Sequence, residues 1–190
     1  MTRHELNTHT DSEVQITPEM TTANRSVLRP VEVKLADEVR NELALATGIA
    51  DTDVLDVLLE ANVDSANLKV LEYVPSLQVA WADEKLDSAE RVAILEAAKN
   101  DDIGGRGYEA LKKWLVTPPN AELVEAAETY LVTKLADMDE DSSYTYQVNV
   151  LAKAWRVAEA SGGRFGMFTI SREEEQVMEE VAEKLVNSNG

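Results

Sequence analysis

The sequence predicts an all-α fold. Apolar residues recur at three- and four-residue spacing from Pro30 almost to the end of the chain. No segment alternates convincingly at period two beyond the short polar pieces Val14–Ile16 and Tyr144–Tyr146. Glycine and proline are sparse, 8 and 5 in 190 residues, which disfavours a turn-rich β architecture. A chain of this length, 44% hydrophobic, has room for one domain with a proper core and not for a second full one.

Residues 1–28 are rich in Thr, Asn, Ser and Glu without a sustained apolar period and read as a flexible polar tail; residues 29–187 form the domain, and residues 188–190 are its end. Val31, Leu35, Val39 and Leu43 step by four toward Gly48, a residue suited to a left-handed cap, and define the first helix. A second follows Asp51 or Thr52 with Val54, Leu55, Leu58 and Leu59, and a third starts at Asp64 or Ser65 and runs through Leu68, Leu71 and Tyr73. Pro75 then kinks the chain or opens a new helix carrying Leu77, Val79, Ala80 and Trp81.

After Asp87 a helix reads through Val92, Leu95 and Ala98 to Asn100, and the loop Asp101–Gly107 leads to a short one with Tyr108, Leu111, Trp114 and Leu115. Pro118 and Pro119 break it, and Asn120 caps a helix with Leu123, Val124, Ala127, Tyr130, Leu131 and Leu135 on its apolar face. Beyond the acidic link Asp137–Asp141, Val148, Leu151, Ala152, Trp155 and Ala158 mark the next helix. The last begins at Ser171 and buries Val177, Met178, Val181 and Leu185.

With 36 acidic against 18 basic side chains the net charge is −18, which repels nucleic-acid phosphate and an anionic bilayer alike. The chain has no cysteine, and both histidines, His4 and His9, lie in the tail, so the domain has no thiolate, no imidazole base and no His-based metal cage. The longest uncharged run, Ser142–Ala152, is far short of the roughly 20 residues that a membrane span requires. No apolar leader follows the amino terminus, and the expected location is the cytoplasm.

Two turns share one design. Leu86, Asp87 and Glu90 supply an apolar staple, an N-cap and a reciprocal N3 carboxylate, and Ile170, Ser171 and Glu174 repeat them, so the chain reads as a degenerate helix-turn-helix repeat. The ordered pieces Trp81-Ala82-Asp83-x-Lys85-x-Asp87-x-x-Glu90-Arg91, Gly107-Tyr108-x-x-Leu111-x-x-Trp114-Leu115 and Val157-Ala158-Glu159-Ala160-x-Gly162-Gly163 before Ile170-Ser171 resemble the tellurite-resistance TerB-like family across about Leu68–Leu185. The resemblance implies a compact bundle of about seven to eight helices. It also implies a bacterial cytoplasmic protein tied to metal or oxyanion stress and to membrane-associated assemblies, with no defined enzymatic reaction. Glu84 stands where the family usually has Gly, and a left-handed turn there would cost a glutamate roughly 1 kcal/mol.

Asp83, Glu84, Asp87 and Glu90 crowd four carboxylates around one turn, the hard oxygen chemistry that Ca²⁺ or Mg²⁺ takes. The spacing is not that of an EF-hand, since the positions that need oxygen ligands or Gly fall on Lys85, Asp87, Ser88 and Ile94. A helix end followed by a capping box accounts for the same residues. Asp137, Asp139, Glu140 and Asp141 read as a solvated acidic link, and Gly104-Gly105-Arg106-Gly107 as an ordinary connection that could also offer N–H groups to an anion. Phe165, Met167 and Phe168 are candidate partner-binding residues, because both phenylalanines of the chain sit on one glycine-rich loop that could dock a partner, touch a membrane surface or plug the end of the bundle. Trp81, Trp114 and Trp155 fall on helical apolar faces and read as core anchors.

The expected function is a non-enzymatic module that acts through a protein partner, with a divalent cation such as Ca²⁺ or Mg²⁺ at the Asp83–Glu90 turn as a possible addition. A carboxylate or metal-dependent hydrolase and an acidic nucleic-acid mimic are the alternatives.

Overall fold

A computed structural model describes residues 34–162 and 170–187. Among them are eight α-helices and one 3₁₀ helix, with no strand. Contacts divide the chain into a unit Met1–Glu38, described here only from residue 34 and holding the ion pair Lys34–Glu38 at 3.9 Å, and a unit Val39–Gly190. Apart from the first residues of the opening helix, the following concerns the second unit.

Helix α1 spans residues 34–47 and ends as expected at Gly48, whose φ of +73° is the left-handed cap. A Cβ at Gly48 would stand 3.3 Å from the Thr133 methyl, so the residue also permits a close approach. Helix α2, Thr52–Glu60, is capped by Asp51 and buries Leu55 and Leu58. It closes on Asn62 at φ +64°, and Val63 N–H reaches back to Leu58 at 2.8 Å. The predicted third helix is instead a turn followed by a 3₁₀ helix, Leu68–Tyr73, which runs directly into α3, Val74–Ala80. Pro75 opens a new helix from inside its first turn, where no N–H is missed.

Helix α4, Ser88–Asn100, carries a complete capping box and ends on Asp102 at φ +58°, with Ile103 N–H bonded to Ala98 at 2.9 Å. Its buried residues are Glu90, Ile94 and Ala98, while Val92 faces solvent. Helix α5, Gly105–Trp114, starts inside the expected loop because Gly107 lies against the 3₁₀ helix, where a Cβ would meet Asn67 at 3.3 Å. Arg106 is engaged at 2.6 Å by Asp64.

Helix α6, Ala121–Ala136, is capped by Asn120 and buries the predicted face. Helix α7, Glu140–Gly162, begins within the acidic link, where Asp139 accepts from the Ser142 N–H and hydroxyl and acidic residues fill the first turn. Helix α8, Arg172–Val186, repeats the capping box with Ser171 and Glu174.

Two assignments are corrected. The buried side of α7 is Ser143, Gln147, Val150, Ala154, Val157 and Ala158, whereas Val148 is 44% and Trp155 49% exposed. Trp155 is therefore not a core anchor. Trp114 is buried and Trp81 half-buried, with the Trp81 indole donating to the Trp114 carbonyl at 3.0 Å. The reading favoured the more apolar stripe of α7, and the fold buries the stripe whose polar members have partners. Gln147, for instance, donates to the Leu185 carbonyl at the end of α8.

Candidate functional site

The predicted acidic turn is present, but its carboxylates point to separate tasks. Asp83 accepts from the Lys85 N–H at 3.0 Å, and Asp87 accepts from Ala89 N–H at 2.6 Å and Glu90 N–H at 3.0 Å. Glu90 returns the bond, accepting from Asp87 N–H at 2.8 Å. Glu84 is exposed at φ +64°, the left-handed geometry for which a glycine is the easy residue. Among the described residues no group of three or more acidic or histidine side chains is placed to hold one metal ion. The glycine-rich loop with Phe165, Met167 and Phe168 lies outside the described residues, as does the tail with Val14–Ile16.

The two capping boxes meet. Glu90 and Glu174, the N3 residues of α4 and α8, are 3% and 5% exposed and share a hydrogen bond. Two carboxyl groups hydrogen-bond only when a proton lies between them, so this contact favours the protonated form of Glu90. Burial pushes the Glu90 carboxyl up to about 8, with the shared bond and negative charge of Glu174 and the charge of Asp87 adding to it, while the Asp87 N–H pulls it down. A carboxyl with such a value has the proton affinity of a general acid, yet this one is enclosed between two helix starts with one oxygen committed to a cap.

Sequence reasoning missed a second ionisable cluster. Glu72, 5% exposed at the end of the 3₁₀ helix, accepts from Lys134 at 3.0 Å, Tyr146 at 2.9 Å and Lys153 at 3.1 Å. Lys153 also meets Asp101 at 2.6 Å, and Asp101 accepts from the Tyr73 hydroxyl at 2.7 Å. The lysine heads lie over aromatic rings, Lys134 at 4.5 Å from Tyr146 and Lys153 at 5.0 Å from Tyr73. Burial alone would raise the Glu72 carboxyl, but the bonds and charges of Lys134 and Lys153 outweigh it and hold the group below its ordinary value. Asp101 is held down in the same way by Lys153 and Tyr73. Desolvation first, then hydrogen bonding to these carboxylates and their charge, pushes the Tyr73 and Tyr146 hydroxyls far up. The cluster is closed upon itself and pins the 3₁₀ helix, the end of α4, α6 and α7 together. A signal existed in the sequence: Lys134 and Lys153 interrupt otherwise apolar helical faces, where a lysine needs a partner.

Among the described residues, one flank of α7 carries exposed apolar side chains without an evident internal task. Tyr144 is 68% exposed and stands in line with Val148, Leu151 and Trp155 at successive steps of four, three and four residues. This row overlaps the uncharged run Ser142–Ala152, in a chain that is 28% charged. A broader groove of about 1090 Å³ lies between the end of α2, the end of α5 and the start of α6, with Trp114, Val116 and Pro118 in its lining and Glu60, Lys112 and Glu122 around them. No described helix is long and apolar enough to cross a membrane. Comparison with protein-family models, with curated proteins and with solved structures found no match to this chain.

Proposed function

We propose that the chain is a non-enzymatic helical module of the TerB-like kind, which acts by presenting one exposed flank of α7 to a protein partner. The observation that carries this reading is the row Tyr144, Val148, Leu151 and Trp155 on one flank of α7, beside the buried stripe Gln147, Ala154 and Ala158, with Tyr144, Val148 and Trp155 exposed and Leu151 packed partly against the core. Exposed aromatic residues in line on a rigid helix are costly to leave in water and are the residue types that dominate recognition interfaces. The two internal capping boxes support the TerB-like part, and Glu84 in left-handed geometry supports a turn that keeps the family's shape without its glycine.

A carboxylate hydrolase fits less well. It requires a proton-holding acid that faces a substrate, and Glu90 is enclosed instead. An acidic mimic of nucleic acid requires concentrated negative charge, whereas the most distinctive exposed face has little charge at its centre.

A photo-reactive phenylalanine analogue placed at Tyr144 or Trp155, with Val186 on α8 as the exposed control, tests the reading in the cell that makes the protein. Discrete adducts from the two α7 positions and none from Val186 are expected. No adduct from α7, or equal labelling at Val186, would overturn it.

A further inference from the structure

We draw no further inference here: the strongest candidate, the buried carboxyl pair Glu90 and Glu174 between the starts of α4 and α8, belongs to the site already described, and a release of α8 with pH would rest on the proton affinity of Glu90 alone.

Discussion

Glu72 and Glu90 are the same side chain at nearly the same depth, 5% and 3% exposed, yet one is held as an anion and the other retains its proton to about pH 8. Burial pushes both upward. What separates them is the company: Lys134 and Lys153 bond to both oxygens of Glu72, whereas Glu90 faces a second carboxyl, Glu174, across the gap between two helix starts. Depth therefore sets how much a neighbour matters, and the neighbour's charge sets which protonation state wins.

Removal of the Glu72 charge tests the contrast most severely. Glu72→Gln leaves two lysines facing a neutral amide, although Lys153 retains Asp101. Stability at pH 7 is expected to fall by about 3 kcal/mol, or roughly 10 °C in melting temperature. The sign with pH follows from the lowered folded value: the anion's contribution is present above the ordinary 4.5 and is lost as pH falls through the folded value. The difference between parent and variant should therefore shrink on acidification, and a gap independent of pH would show that lost packing, not charge, governs the site.

Glu90 has the opposite sign. Its folded value lies above the unfolded one, so the native state holds the extra proton and its stabilising effect declines as pH rises from about 4.5 to about 8. Glu90→Gln remains neutral, and its amide oxygen can still accept from the Asp87 N–H. Melting temperatures should nearly match the parent's at pH 5 and exceed them by a few degrees at pH 8.5, an effect of roughly 1–2 kcal/mol. An equal loss at both pH values would mean that the carboxyl's shape matters more than its proton.

The smallest effect is expected at Glu84, which belongs to the same acidic turn but is exposed and reaches neither cluster. Glu84→Gly relieves a left-handed backbone and should stabilise by about 1 kcal/mol without changing the pH profile, as read from chemical denaturation at pH 5 and pH 8.5. A changed profile would place Glu84 in the Glu90 pair.

Much of this fold is written locally, and the clusters are not. Asp51, Asp87, Asn120 and Ser171 cap the helices they precede, because a cap and its target N–H groups lie within three residues. The two capping boxes were legible for the same reason, but their meeting through Glu90 and Glu174 was not, since 84 residues separate the pair. On α7 the periodicity holds but the face is turned: Ala158 is buried and Leu151 packs on the core as expected, whereas Val148 and Trp155 are exposed. Val148 and Trp155 carry the stronger apolar signal, but Gln147 and Lys153 find partners at Leu185, Glu72 and Asp101 that no local window contains. The left-handed ends at Asn62 and Asp102 were also passed over, although asparagine and aspartate are the non-glycine residues that best tolerate that geometry.

The Glu72 cluster also orders events in time. Its donors lie 62, 74 and 81 residues further along the chain, so the carboxylate cannot be desolvated until α6 and α7 have both been brought to it. A partly folded chain keeps Glu72 in water at what will become its interior, and that hydrated charge resists premature collapse of the surrounding helices. A lock assembled from such distant pieces is expected to act on the unfolding rate more than on the folding rate, which the two limbs of a denaturant chevron for Glu72→Gln would show.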